Sequence, residues 1–197
     1  MDVALQWIGG CCYLLNKIFL SRTERLGKED AIASRRWRIA AWVVYLLGLP
    51  AWMILLIGRH DWIVALVEAS GAPAMLLGLV MAVRGDSHNP PRWLDRTALV
   101  CIPFGFVYSV YDFGGFTAGS QWLEIALVVG FLIGTYQLAR QRASGYGWYV
   151  LMHLACAWLM GIQGYPWLLL QQLVSLGFIL DAYRAQRRSP TLVATSA

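Results

Sequence analysis

Seven apolar stretches, each close to the length that crosses a bilayer and separated by short polar connectors, constrain this chain more than any motif in it. Crossing ~30 Å of hydrocarbon takes ~20 largely apolar residues in a helix, because lipid tolerates only a backbone that satisfies its own hydrogen bonds. The stretches run Val3 to Leu20, Trp37 to Ile57, Trp62 to Val83, Thr97 to Phe116, Trp122 to Ala139, Gly147 to Gln163 and Trp167 to Ala182. They predict an all-α integral membrane protein with seven transmembrane helices. Hydrophobic residues make up 58% of the chain and charged ones only 14%, against ~45 to 50% and ~25% in a soluble domain, which together exclude a disordered chain and a secreted disulfide scaffold. Cys11, Cys12, Cys101 and Cys156 lie inside apolar stretches without a C-x-x-C pair, and read as reduced packing residues.

The net charge of +5 has the same origin. With seven spans, one side of the membrane holds Arg22, Arg25, Lys28, Arg35, Arg36 and Arg38, then Arg84, Arg92 and Arg96, then Arg140 and Arg142, and finally Arg184, Arg187 and Arg188. Those are 14 basic residues against Arg59 alone on the other side. The excess reports orientation, with the N-terminus outside and the C-terminus in the cytoplasm, and implies no nucleic-acid partner. Met1-Asp2 opens the chain without a basic n-region, so no cleaved signal peptide is expected.

An internal repeat is visible. Trp42, Trp52, Trp62 and Ser70 follow one another at spacings of 10, 10 and 8, and Trp148, Trp158, Trp167 and Ser175 at 10, 9 and 8. Interfacial tryptophan belts alone produce similar spacings, but here three stretches align in order. Ala51-Trp52 recurs as Ala157-Trp158, and Leu20-Ser21-Arg22 matches Leu138-Ala139-Arg140. Because an even number of crossings separates the two copies, they are parallel repeats joined by a linker helix. The expected organisation is a first three-helix repeat over 1–83, a linker helix with its loops over 84–119, a second repeat over 120–188 and a cytoplasmic tail over 189–197.

Polar groups within the spans carry the functional information, since each is costly in hydrocarbon unless it faces protein or water. Gln171, Gln172 and Ser175 form one helical stripe on an otherwise leucine-rich span. His153 lies well inside the sixth span, while His60 and His88 fall in loops on opposite sides, which disfavours catalytic zinc. The first span carries Gln6, Asn16 and Lys17; Lys17 reads as snorkelling to the headgroups, and Asn16 as facing a cavity. Glu68, Glu124 and Asp112 sit toward the outside, where they line a vestibule or are solvated at the interface. Tyr108 and Tyr111 beside Asp112, together with Trp52 and Trp158, offer stacking surfaces for a flat ring or anchor the belts. Pro50, Pro73 and Pro103 interrupt three spans. A retinal-binding lysine in span seven, a P-loop, a G-x-G-x-x-G fingerprint and a Ser/His/acid grouping are all missing, so the chain does not read as an enzyme and no cofactor is expected.

Trp122-Leu123-Glu124, Leu138-Ala139-Arg140, Gly147-Trp148, Tyr165-Pro166-Trp167, Gln171-Gln172 and the closing Asp181-Ala182-Tyr183-Arg184 with Arg187-Arg188 together resemble the PnuC family. These are bacterial nicotinamide riboside transporters with relatives that carry thiamine, riboflavin or nucleosides, and their 3+1+3 plan is similar to that of the SWEET sugar transporters. The resemblance covers about 65 residues of the second half, and the first half through its repeat. It implies an inner-membrane carrier of a small vitamin or nucleoside working by facilitated diffusion, with a cytosolic kinase retaining the substrate. It also implies a site between the two bundles at Gln6, Asn16, Trp148, His153, Trp158, Gln171 and Gln172. The placement of the carboxylates, with His153 the one central titratable group, agrees with uncoupled transport. A SWEET-like sugar carrier, and a non-transporting membrane subunit in which these residues only lock helices, are the alternatives; homo-oligomerisation is open to either.

Overall fold

The computed structural model describes residues 2–27, 29–85, 89–112 and 119–188, and every element among them is helical. Seven α-helices follow in order: α1 (Asp2–Leu26), α2 (Ala31–Gly58), α3 (Trp62–Arg84), α4 (Arg92–Asp112), α5 (Gly119–Ala139), α6 (Ser144–Ile162) and α7 (Pro166–Arg187). Five of the expected spans lie wholly on one helix each; the sixth runs one residue past α6 to Gln163, and the fourth continues past Asp112 beyond the described residues. Lys28, His88, Phe113, Phe116 and the tail over 189–197 lie outside the described residues, as do the side chains of Tyr111 and Asp112.

Several helices run a turn or more beyond their apolar stretch, mainly at the arginine-rich end. Hydropathy marks where the surroundings change, whereas a helix stops where its backbone is capped. The Asp30 side chain, for example, accepts from the backbone N–H groups of Ile32 and Ala33 at 2.9 Å and so starts α2 well before Trp37. Pro166 starts α7 at a position where its missing N–H costs nothing. Pro50, Pro73 and Pro103 are carried inside continuous helices.

Three segments, Ala31–Gly58, Val64–Arg84 and Gln121–Ala139, are long and apolar enough to cross a membrane. The other four helices are of comparable length but diluted: by Asn16 and Lys17 in α1, by Arg92, Asp95 and Arg96 in α4, by Trp148 and His153 in α6, and by Gln171 and Gln172 in α7.

Short connectors make consecutive helices antiparallel, and packing closes six of them into a ring. Each of α1, α2, α3, α5, α6 and α7 packs on the next, and α7 returns to α1. α4 stands outside, over the seam between α3 and α5, where Gly105 lets it approach Ser70 and Leu132. Its opposite face exposes Trp93, Val100, Phe104 and Val107. Large apolar side chains cover much of the outer surface elsewhere too, including Leu47, Leu154 and Trp167, which suits lipid better than water.

Ionic contacts tie the arginine-rich ends together. Arg25 of α1 grips Asp181 of α7, with its Nε donating at 2.7 Å, and Ser21 donates to the same carboxylate. Arg140 of α5 donates to both oxygens of Asp95 of α4 at 2.9 Å. Tyr146 of α6 donates to Glu24 of α1 at 2.9 Å, and Arg35 of α2 caps the last carbonyls of α3, at Ala82 and Val83.

Candidate functional site

The interior of the ring is neither a leucine core nor an empty channel, because α1 turns a polar stripe into it. Gly9, Tyr13, Asn16, Lys17, Leu20 and Ser21 recur at helical spacing, and all but half-buried Tyr13 are buried. Lys17 does not snorkel. The residue is only 2% exposed, its amine donates to the side-chain oxygen Oδ1 of Asn16 at 2.9 Å, and it lies 4.3 Å and 4.4 Å from the ring centres of Tyr45 (α2) and Tyr149 (α6). Two desolvated cation–π contacts, each worth up to ~2 kcal/mol, favour keeping the amine inside the ring.

Hydroxyl contacts extend this centre across the ring. Tyr149 donates to Tyr45 at 3.2 Å, and the Thr135 hydroxyl of α5 lies 2.9 Å from that of Tyr149. On the other side Tyr13 donates to Glu68 of α3 at 2.7 Å and meets Tyr45 edge-on at 4.8 Å. Glu68 is thereby turned inward, not into an outer vestibule. Glu124 is half-buried, with one carboxylate oxygen buried and without a partner.

The polar stripe of α7 faces the same interior but is split between neighbours. Gln172 accepts from His153 Nδ1 at 2.7 Å when the imidazole carries its proton there, which leaves Nε2 as a lone-pair acceptor; that atom is buried without a partner. Gln171 donates to the Gly10 carbonyl of α1 at 3.0 Å, and Asn16 donates to the Ala41 carbonyl of α2 at 3.0 Å, so both cross-link helices. Trp52 presses its indole N–H edge against Gly9, where any larger residue would collide with it, and that N–H is also buried without a partner.

Of the expected site residues, the structure thus brings Asn16, His153, Gln171 and Gln172 to the interior. Gln6 and Trp148 are half-buried and stand outside this hydrogen-bonded cluster. Trp158 is 68% exposed on the outer side of α6. Trp52, its counterpart in the repeat, points inward, so the paired tryptophans share spacing but not surroundings. Lys17, Tyr13, Tyr45, Tyr149 and Thr135 join the cluster unannounced by the apolar pattern. With Lys17 inside, His153 is no longer the one central titratable group.

Asn16, Lys17 and His153 are each at most 3% exposed, so the centre of the cluster is closed to solvent in this conformation, while Tyr13, Trp52, Gln171 and Gln172 around it are half-buried. It offers edge-on and tilted aromatic rings, the Lys17 amine, a buried acceptor at His153 and a buried donor at Trp52. No family model, curated protein or solved structure matches the chain.

Proposed function

We propose that this protein is a seven-span membrane carrier for a small water-soluble vitamin or nucleoside-like substrate of the nicotinamide riboside type. In this reading it works by facilitated diffusion with alternating access. The observation that carries the reading is the polar and aromatic cluster inside the ring, with the buried nitrogens of His153 and Trp52 left unpaired. Buried polar atoms are normally satisfied, and unpaired ones mark places where a ligand completes the bonding. A flat substrate with an N–H or O–H for His153 Nε2 and an acceptor for Trp52 Nε1 meets both needs.

The order of helices around the ring supports two parallel three-helix repeats. Rotating the ring by half a turn carries α1, α2 and α3 onto α5, α6 and α7, and the α3–α5 seam onto α7–α1. The four diluted helices count as spans here because their polar groups face the interior or the arginine-rich end, where lipid does not reach. Uncoupled transport rests on the family resemblance alone, since Lys17 now stands beside His153 in the centre. Retention by a cytosolic substrate-modifying kinase belongs to the same resemblance.

Uptake by proteoliposomes tests the function, with a panel of nicotinamide riboside, thiamine, riboflavin, nucleosides and simple sugars. Saturable uptake of one of the first four classes is expected; saturable sugar uptake would move the assignment to a SWEET-like carrier. With equal substrate on both sides, an imposed pH or sodium gradient should cause no net accumulation, and accumulation would show coupling. Inserted protein that moves nothing in the panel would favour a membrane scaffold, the reading to which the Gln171 and Asn16 cross-links also lend themselves.

The orientation carries its own expectation. Reporter fusions after Ser34 and at the C-terminus should both score cytoplasmic, and one near Gly119 external, in a bacterial inner membrane. A cytoplasmic score at Gly119 would remove the seven-span count and the repeat together.

A further inference from the structure

The two seams of the ring differ. α4 lies over the α3–α5 seam, whereas among the described residues no helix lies over the α1–α7 seam. A groove of about 740 Å³ runs along that uncovered seam. Its wall is apolar toward the middle of the bundle, with Ile18 on α1 and Val174, Gly177 and Phe178 on α7, and it ends at Arg22, Arg25 and Asp181. At that end the Asp181 carboxylate is already covered, since Arg25 and Ser21 both donate to it. Arg22 remains exposed at the groove mouth, over the ring of Trp37, and Arg184 follows one turn after Asp181.

We propose that this seam binds one anionic glycerophospholipid, with its phosphate at Arg22 and Arg25 and an acyl chain along Ile18, Val174, Gly177 and Phe178. The pattern of charge selects this occupant. An apolar trough that ends in arginines at the level of the headgroups complements a molecule with an anionic head and a hydrocarbon tail, and basic pockets between spans recognise anionic headgroups in this way. A second copy of the chain fits worse. Two copies inserted with the same orientation would bring their arginine-rich ends to the same depth, and a symmetric contact through this seam would set Arg22 and Arg25 against their own equivalents. The lipid does for the α1–α7 seam what α4 does for the other one.

The proposal rests on the reading of α1 and α7 as spans and needs no substrate. Its test begins by reconstituting the purified full chain, washing with carbonate and floating the vesicles. Protein that fails to float removes the membrane reading, and the lipid site with it. For floated protein, native mass spectrometry from mild detergent compares retention of phosphatidylglycerol and phosphatidylcholine with matched acyl chains. The wild type should hold one phosphatidylglycerol, at least tenfold in preference to phosphatidylcholine. Arg22→Gln should reduce that preference severalfold. Gly177→Leu should lose both lipids while keeping its melting temperature, because a Cβ there meets nothing of the protein within 4 Å and Gly177 lines the groove. Equal retention of the two lipids, or undiminished retention by Gly177→Leu, overturns the site. A dimer that Gly177→Leu dissociates would overturn it in favour of a second copy.

Discussion

Replacing Gly78 by alanine should cost on the order of 3 kcal/mol and remove most of the folded protein. The space a Cβ would take on α3 is already filled by the indole of Trp42 on α2. Trp42 has nowhere to go, being 2% exposed and packed against Tyr45, which in turn holds Lys17. The added methyl therefore pushes α2 and α3 apart and disturbs the Lys17 cage at the same time. Gly177→Ala is the matched control. It makes the same chemical change in open space, and removing a helix-interior glycine should stabilise by ~1 kcal/mol at most. Monodisperse yield and melting temperature in detergent are the readouts, and similar melting temperatures for the two variants would contradict this account of the α2–α3 contact.

The second large effect is expected at the His153–Gln172 pair. Gln172→Leu removes the acceptor of a buried imidazole and should destabilise by ~1 to 3 kcal/mol, while uptake falls at least tenfold. His153→Leu with Gln172→Leu separates the two roles. Replacing both partners of a buried hydrogen bond by apolar groups is close to neutral for folding, so the double variant should recover its melting temperature. A pair that binds substrate stays inactive after that recovery. If uptake returned together with stability, the pair would be interhelical glue and the site would lie elsewhere in the cluster.

What was legible in the sequence, and what was not, follows from what a linear apolar pattern contains. The seven helices could be placed because each apolar stretch is bounded by glycines, prolines, acids or arginines, and the arginine-rich end because its residues are adjacent in sequence. His153 and the α7 stripe stood out because their neighbours are leucine, alanine and valine. Lys17 was misplaced because its distance from the end of the first span says nothing about the rotation of that helix. The corrective signal was present: Tyr13, Asn16, Lys17, Leu20 and Ser21 share one face, and a lysine on the buried face has no route to the headgroups. Tyr45 and Tyr149 were hidden differently. Their counterparts under the repeat are Leu151 and Val43, so internal symmetry draws no attention to either, and only the closing of the ring puts one ammonium between them. Trp158 shows the opposite error, since a shared spacing with Trp52 carried it into a site that the packing of α6 keeps it from.

The unequal seams also have a mechanical meaning. Of the two seams between the halves of the ring, one is splinted while the other is fastened at separate points: Gln171 to Gly10 partway along, and Arg25 with Ser21 to Asp181 at the arginine-rich end. In the carrier proposed above, the splinted joint would serve as the hinge and the fastened one as the latch, so that alternating access would turn on the α3–α5 seam, with α4 riding on that spine, and would part α1 from α7.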